Sequence, residues 1–309
     1  MLKPIFIEAG IALITALLVV ALATIAAVEM TTRQQFDIYR TANIINAEQA
    51  YVYALGGESW AKRILLRDDN NIDNVNEFTL TLPIPGGELS AHLKNLQGHF
   101  NLNNLRPDCQ KQNAQISFET VFERLLQVVE LSELSLKLAP VIMDWIDSDL
   151  ETQFPFGAED DVYLIQKPAY RTANTLFSNP SEMRLLADLD HTIYTKMLPY
   201  ISTLPTCTLI NVNIAKQEIL LALFAGLSKA DAIAIMATRE KTPFESVTDF
   251  LAHDVLAGLT KSVDNITVTS QYFQLTTKVN IARSQIQLTS ILYRSAAKVK
   301  VILRSREIY

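Results

Sequence analysis

The run of residues from Ala9 to Val28 constrains this chain most, because it has no charged side chain and its only polar side chains are Thr15 and Thr24. A helix of this length spans roughly 30 Å, enough to cross the hydrocarbon core of a bilayer. Three interpretations are open from this run alone: a signal peptide that is removed, a membrane anchor that is kept, or one end of a buried helix.

The helical pattern continues past the apolar run, whereas an ordinary signal peptide ends in a cleavage site and a break. After Glu29 the chain has no proline or glycine until Gly56 and Gly57. Apolar side chains recur there near helical spacing; they are Phe36, Ile44, Ala47, Tyr51 and Leu55. The sequence predicts one long helix over 11–67, apolar and then amphipathic, which the two glycines weaken.

Two segments have the two-residue periodicity of strands. In the first, within 68–111, alternating apolar residues (Phe78, Leu80, Leu82, Ile84) precede Pro85-Gly86-Gly87, which predicts a hairpin. The second, within 257–309, is rich in Ile, Val, Thr and Tyr. The intervening 112–256 has helical periodicity, with Ser117 and Asn179 as helix caps. We therefore predict an α+β fold in which a large all-helical domain without an internal repeat is inserted into an antiparallel sheet.

The charge balance argues against a nucleic-acid partner, since the formal net charge is -6 and no basic stripe is present. Residues 211–255 are similar to a helix-hairpin-helix unit, with predicted caps at Asn213 and Ser228 and a turn at Ala225-Gly226. This segment has more acidic than basic residues and one hairpin glycine, so phosphate binding lacks charge support. We interpret it as a helical packing unit.

An acidic cluster is the most suggestive chemical feature of the predicted helical domain. Seven acidic residues and no basic one lie between Lys137 and Lys167: Asp144, Asp147, Asp149, Glu151, Glu159, Asp160 and Asp161. Oxygen ligands in a loop with a sharp turn at Gly157 suit calcium, although the spacing is not that of an EF-hand. A solvated acidic loop and an acid-base pair of a glycosidase type are the alternatives.

The two cysteines, Cys109 and Cys207, lie 98 residues apart and cannot supply a zinc site by themselves. They either pair in an oxidising compartment or stay as separate thiols. Other catalytic signatures are missing: the four histidines are scattered, and H-E-x-x-H, G-x-S-x-G and phosphate-binding glycine loops do not occur. An enzymatic function would depend on the acidic residues alone, and we expect the protein not to be an enzyme.

The N-terminus, MLKPIFIEAG followed by the apolar run, resembles a type IV prepilin leader. The resemblance implies cleavage after Gly10 by prepilin peptidase, so that Ile11 becomes the methylated mature terminus and the helix stays as an anchor. The glutamate usual at mature position five is replaced by Thr15. A buried carboxylate there would neutralise the terminal amine of the subunit ahead in a filament. A subunit that lacks it has no obvious neighbour ahead.

The ordered set of motifs FNLNNL, DWIDSD, GAEDDVY, YRTAN and INVNIA, after an apolar helix without that glutamate, resembles the general secretion pathway protein K family. These are the large minor pseudopilins of type II secretion systems, and the resemblance covers essentially the whole chain. It implies a pseudopilin fold with an inserted α-domain. It also implies calcium in that domain, which we carry onto the motif residues Asp147, Asp149, Glu159, Asp160 and Asp161.

The resemblance further implies a subunit at the pseudopilus tip that nucleates assembly with the minor pseudopilins I and J for export of folded proteins. The H subunit and the major pseudopilin are further candidate partners. The expected location is a single-pass anchor in the inner membrane with the globular domain in the periplasm. The alternative function is a membrane-anchored periplasmic hydrolase that uses carboxylates of the acidic loop.

Overall fold

A 61-residue helix, α1 (Phe6–Leu66), begins the described part of the chain. The computed structural model describes residues 6–67, 70–109, 115–187, 189–260 and 263–308. The first five residues of the predicted leader and the predicted domain boundaries near residues 68 and 111 lie outside these ranges. The sequence predicts that Gly56 and Gly57 weaken the helix, but α1 continues through both glycines without interruption. A Cβ at position 57 would lie 3.1 Å from Thr277 Cγ2, so this glycine lets the helix approach the sheet closely.

The first half of α1 is exposed along its length, and an 18-residue window in it has a mean hydropathy of 2.8 with no residue buried. It is the one helix in the described ranges that is long and apolar enough to cross a membrane. Thr15 donates its hydroxyl hydrogen bond to the Ala12 carbonyl oxygen at 3.0 Å. The polar group is therefore satisfied within the helix, and the apolar surface carries no charge over this span.

Five antiparallel strands form one sheet in the order β1-β2-β7-β8-β9. They are β1 (Glu77–Ile84), β2 (Gly87–Asn95), β7 (Tyr272–Ile281), β8 (Ser284–Arg294) and β9 (Val299–Ile308). The predicted hairpin is confirmed, because β1 pairs with β2 and Gly86 takes a left-handed conformation at φ +81°. The strands from the two ends of the predicted insertion thus lie side by side.

The second half of α1 packs on this sheet through small side chains. Ala50, Ala54 and Ala61 are fully buried, which brings the helix close to the apolar face. That face consists of Leu89, Ala91, Leu93, Phe273, Leu275, Val279, Ile281, Ile286, Leu288 and Leu292. Burial of each large aliphatic side chain stabilises by about 1.5–3 kcal/mol.

A buried carboxylate on α1 fixes the position of the helix along the sheet. The Glu58 side chain accepts hydrogen bonds from Arg304 Nε at 3.0 Å and Nη2 at 2.9 Å, and from Ser290 Oγ at 2.8 Å. Lys62 Nζ lies 2.9 Å from the same carboxylate. Because a buried charge is costly unless it is paired and hydrogen-bonded, only one position of α1 satisfies these partners.

The segment between β2 and β7 is mainly helical and has a hydrophobic core separate from that of the sheet. Its α-helices are α2 (Phe118–Val128), α3 (Leu138–Ile146), α4 (Asp160–Tyr163), α5 (His191–Met197), α6 (Gln217–Leu223), α7 (Lys229–Lys241) and α8 (Val247–Leu251). The predicted caps Ser117 and Ser228 are confirmed. Asn179 caps Pro180–Leu185, but that helix is of the 3-10 type.

The predicted cap at Asn213 is wrong, since α6 begins at Gln217 after Lys216. The Asn213 side chain instead accepts a hydrogen bond from Phe244 N at 3.0 Å and donates to Phe244 O at 2.9 Å. Asn103 makes the same pair of bonds with Phe177 N at 2.9 Å and Phe177 O at 3.0 Å. Each asparagine follows a two-residue strand that pairs in parallel with a later strand.

The helical domain is therefore a structural repeat, which corrects the prediction that it has none. The first half, residues 100–202, is bounded by the parallel pair β3 (Phe100–Asn101) and β4 (Ile201–Ser202). The second half, residues 210–267, is bounded by β5 (Ile210–Asn211) and β6 (Ile266–Thr267). Helices α2 and α6, which open the two halves, pack against each other.

Polar side chains join the helical domain to the sheet. Gln97 Nε2 donates to Leu209 O at 3.1 Å, while Gln97 Oε1 accepts from Tyr272 N at 3.2 Å. Asn211 Nδ2 donates to Asp73 O at 3.0 Å and Ser270 Oγ at 2.8 Å. These bonds connect the start of the second half, and the residue before it, to the segment that continues into β7, so the helical domain is held at one end of the sheet.

Candidate metal site in the helical domain

The acidic residues lie in a loop that leaves α3 and returns to α4. Asp147 is the C-cap residue that follows α3, and Glu159 is the residue that precedes α4. The loop turns back on itself, so the two ends come together although twelve positions separate them in the sequence. We call residues 147–159 the acidic loop.

Three of the predicted metal ligands meet at the mouth of the acidic loop. Asp147, Asp149 and Glu159 each present a carboxylate oxygen, and the three oxygens lie within 4.8 Å of one another. Glu159 is buried, Asp147 is half-buried and Asp149 is exposed. The site is thus open to solvent on the side of Asp149.

Two oxygens of this cluster are buried without a hydrogen-bond partner in the described structure: Asp147 Oδ1 and Glu159 Oε1. Burial raises the pKa of Glu159, and the carboxylates of Asp147, Asp149 and Asp160 raise it further. Burial and Asp149 likewise raise the pKa of Asp147. Unpartnered buried oxygens and repelling negative charges are what a bound cation would satisfy, so the residues present fit a hard cation such as calcium.

The other two predicted ligands lie apart from the three. Asp160 Oδ1 accepts from Thr172 N at 3.1 Å and Thr172 Oγ1 at 3.0 Å, and its other oxygen lies 3.7 Å from Arg171. Asp161 is exposed and accepts from Val162 N at 3.0 Å. Asp160 and Asp161 therefore have protein partners of their own, and the cluster that the structure assembles contains three of the five predicted residues.

Asn174 was not singled out by the sequence but adjoins the cluster. It donates from Nδ2 to the Asp149 carbonyl oxygen at 3.2 Å, while its Oδ1 is buried without a hydrogen-bond partner in the described structure. Its backbone is left-handed, with φ at 44°. The YRTAN motif carries this residue, and asparagine is the side chain that most readily accepts such a φ after glycine. That combination is the signal that could have indicated it.

The structure pairs Cys109 with Cys207 in a disulfide, with the two Cα atoms 5.4 Å apart. The bond joins the segment after β3 to the segment after β4. Asp108 also lies near these sulfurs, but bonded sulfurs are not free to ligate a metal, so this group is not a second candidate site. Arg106 donates to Cys109 Sγ at 3.1 Å and pairs with Asp108 at 2.7 Å.

Buried asparagines hold the same two segments together beside the disulfide. Asn101 Oδ1 accepts from Leu204 N at 2.9 Å, and Asn104 Oδ1 accepts from Thr208 N at 2.9 Å. Asn104 Nδ2 donates to Thr208 O at 2.7 Å. The FNLNNL motif is thus a set of side chains that replaces main-chain pairing where two segments meet.

The helix-hairpin-helix segment uses its arginine internally. Arg239 is largely buried, and burial lowers its pKa to about 10. Its guanidinium donates to Ala215 O at 2.7 Å and Val212 O at 2.5 Å, which closes the turn after β5. This arginine therefore serves the packing of the second half.

The whole architecture matches a solved subunit of known class. The chain is similar to a chain of the GspK-GspI-GspJ complex from the type 2 secretion system of enterotoxigenic Escherichia coli, with a TM-score of 0.75 and 25% identity. The match covers 87% of this chain and 99% of that one. An anchor helix packed on an antiparallel sheet that carries an inserted helical domain defines a minor pseudopilin of type II secretion.

Sequence comparisons specify the subunit. The family description "Type II secretion system (T2SS), protein K" matches residues 98–206 and 210–269, and each of these ranges contains one half of the repeat. Relatives named type II secretion system protein K are 35% identical in Pseudomonas aeruginosa and 32% identical in Klebsiella pneumoniae. They cover 96% and 98% of this chain, and 92% and 97% of their own lengths.

The chain belongs to the type II secretion system protein K family, and it is a minor pseudopilin. The resemblance found in the sequence motifs is confirmed. The comparisons give no support to the alternative of a membrane-anchored hydrolase.

Proposed function

We propose that this subunit lies at the tip of the pseudopilus, where it joins the minor pseudopilins I and J and starts assembly of the filament. The observation that carries the proposal is the full-length similarity to a chain solved in a GspK-GspI-GspJ complex. Because nearly all of that chain is matched, the surfaces that meet I and J have counterparts here.

The anchor helix supports an end position. In a filament of such subunits, each free terminal amine lies in an apolar bundle, where an unpaired charge is costly. Position 15 has a threonine whose hydroxyl is satisfied by Ala12 O, so this chain offers no carboxylate to an amine ahead. A subunit without that acceptor is suited to have no subunit above it.

The inserted domain supports the same position. It is joined to the sheet between β2 and β7 and carries its own core. A domain of this size, roughly one further ordinary globular domain, would obstruct stacking within a narrow shaft. At the end of the filament it meets no such obstruction.

Processing and location follow from the same scheme. Prepilin peptidase would cleave after Gly10 and leave Ile11 as the methylated terminus, with the helix in the inner membrane and the globular domain in the periplasm. The exposed apolar helix from Gly10 onward supports this arrangement. The H subunit and the major pseudopilin would then be neighbours below the tip.

Asp147, Asp149 and Glu159 would hold a calcium ion in this scheme, with Asn174 as a neighbouring oxygen donor. The ion would supply positive charge to three mutually repelling carboxylates. It would thereby stiffen the acidic loop, and the tip domain with it.

The experiment that tests the tip position is immunogold labelling of sheared pseudopili from a host lacking its own K subunit and supplied with this chain. We expect label at filament ends only. Thr15→Glu should insert into the membrane normally and, because the inserted domain still obstructs stacking in the shaft, should label ends only, as should the matched neutral change Thr15→Val. Label along the shaft for the unaltered chain would contradict the tip position.

The N-terminus is tested by intact mass and terminal sequencing of the protein purified from the host membrane. A chain that begins at methylated Ile11 is the expected result. A start at Met1, or beyond residue 28, would exclude pilin-type processing.

A further inference from the structure

Asp144 is fully buried beneath the acidic loop and is not one of the three clustered carboxylates. It lies on α3, and both of its oxygens face the backbone of the acidic loop at Gln153. The described ion pairs include none with Asp144. A buried carboxylate without a cation is costly and needs a reason to be present.

The reason lies in the backbone of the acidic loop. Gln153 N donates to both Asp144 oxygens, at 3.1 and 3.2 Å. Gly157 N donates to Gln153 O at 2.7 Å. Asp144 thus holds the outgoing part of the loop on α3, and the bond between Gly157 and Gln153 brings the returning part beside it.

Gly157 is required for this closure because nothing larger fits. A Cβ at position 157 would lie 2.1 Å from Asp144 Oδ2 and 2.6 Å from Gln153 N. Both distances are far below any van der Waals contact, so the loop and the carboxylate could not both keep their places. The glycine and the aspartate therefore form a matched pair.

We propose that Asp144 is a positioning residue that, with Gly157, closes the acidic loop before any cation binds. This proposal rests on the metal site of the proposed function. Closure brings Glu159, at the returning end, against Asp147 and Asp149 at the outgoing end. Asp144 itself does not ligate the cation in this proposal, because it lies outside the cluster and both of its oxygens accept from Gln153 N.

Pre-organisation of this kind has a measurable signature. Residues that orient metal ligands typically change metal affinity about 10- to 100-fold when they are replaced, without acting as ligands. We therefore expect Asp144→Ala and Gly157→Ala to weaken Ca²⁺ binding by about 10- to 100-fold. Glu159→Gln, which removes a ligand, should weaken binding more.

The experiment is calorimetric titration of the full-length chain in detergent with Ca²⁺, paired with amide hydrogen exchange in chelator. Asp144→Ala and Gly157→Ala should both speed exchange of the Gln153 N–H, which donates to Asp144, when no metal is present. Asp144→Ala removes the carboxylate and Gly157→Ala keeps it, so an effect common to both reports geometry rather than charge. Gly56→Ala, at a helical glycine with no atom within 4 Å of the added carbon, and Asp161→Asn are the matched controls.

Three results would overturn the proposal: unchanged exchange at Gln153 in Asp144→Ala, unchanged Ca²⁺ affinity, or a loss as complete as that of Glu159→Gln, which would make Asp144 a ligand. If the unaltered chain binds no Ca²⁺, the proposed metal site fails. The exchange measurement in chelator still decides whether Asp144 closes the loop.

Discussion

The two halves of the helical domain share the same arrangement of paired strands and buried asparagines, but they differ in the segments between these elements. In each half a buried asparagine clamps the backbone of a phenylalanine: Asn103 holds Phe177, and Asn213 holds Phe244. Two residues after that phenylalanine, a polar side chain caps a short helix in both halves, Asn179 in the first and Ser246 in the second. The second half thus serves as an internal reference for the first.

The halves differ in the length of the segment between a helix, α3 or α7, and the phenylalanine that the asparagine holds. In the second half, α7 ends at Lys241 and only Thr242 and Pro243 precede Phe244. In the first half, residues 147–176 separate α3 from Phe177 and contain the acidic cluster. Because the second half closes without such a segment, the scaffold does not need it for folding. The comparison identifies this segment as an addition that carries the candidate site.

The largest expected effect concerns the disulfide, which ties the first half to the segment that follows it and has no counterpart in the second half. We expect Cys109→Ser with Cys207→Ser to lower the free energy of unfolding by about 4 to 5 kcal/mol, since the bond closes a long loop in the unfolded chain. Urea unfolding measures this, and hydrogen exchange should show the loss first in residues 100–202. An intact mass with two free thiols in protein from an oxidising compartment would contradict the pairing.

The asparagine clamps should be equivalent in energy if the repeat is structural. Asn103→Ala and Asn213→Ala each leave a buried phenylalanine N–H and C=O without a partner, so each should cost about 3 to 4 kcal/mol. Asn280→Ala, at a half-buried asparagine of β7 whose side chain donates only to the exposed Glu88 carboxylate at 3.2 Å, is the control and should cost less than about 1.5 kcal/mol. Urea unfolding of the three variants tests this equivalence. A small loss in the free energy of unfolding for one asparagine variant and a large loss for the other would contradict it.

Calcium should act on the first half alone. At a free concentration 100 times the dissociation constant, binding should stabilise the chain by about 2.7 kcal/mol. Asp147→Asn and Glu159→Gln should abolish this gain, whereas Asp161→Asn should keep it. Thermal unfolding with calcium and with chelator measures the gain. Slower hydrogen exchange in 210–267 upon calcium addition would contradict the assignment.

The smallest expected effect is a pH dependence that arises at the position just before β3 and β5, the strands that begin the two halves. His99 is 4% exposed and its ring nitrogens have no hydrogen-bond partner in the described structure, whereas its counterpart Leu209 is 37% exposed. Burial, with Lys94 and Lys216 nearby, lowers the pKa of His99 to about 3. The unfolded chain takes up this proton near pH 6.5, so stability is lost as pH falls below that value.

Between pH 7 and 5 this loss should reach about 2 kcal/mol. His99→Leu copies the second half and should remove that part of the pH dependence, while His191→Gln, at an exposed histidine, should not. Denaturant unfolding at the two pH values provides the measurement. An unchanged slope in His99→Leu would show that His99 is not the group responsible.

Local signals predicted the local structure well. The apolar run, the Pro85-Gly86-Gly87 turn and the caps at Ser117 and Ser228 each depend on neighbours in sequence, so one-dimensional pattern was sufficient. The sequence did not predict the repeat, because its two halves share little beyond the asparagines and their hydrogen-bond partners, which lie far away in the chain. Asn213 was assigned as a cap for the same reason, since its bond to Phe244 is not visible locally.

The candidate site was predictable as a region but not as a set of residues. The sequence showed seven acidic residues, but which of them meet depends on how the loop closes. That closure depends on Asp144, whose buried position gave no signal of its own, and on Gly157, whose need is set by a carboxylate thirteen positions earlier. The partners that occupy Asp160 and Asp161 come from residues 171–172 and from the start of α4.

The way Glu58 is held gives the junction of anchor and sheet a mechanical property. Ser284 at the start of β8 bonds to Asn43, and Ser290 further along bonds to Glu58, so α1 advances in the same direction as β8. Arg304 and Arg306 contact Glu58 and Glu48 in the opposite order along β9. A force along the helix axis therefore acts parallel to the strands and shears these contacts together instead of peeling them one after another. Displacement of the anchor is thus transmitted to the sheet as a rigid push.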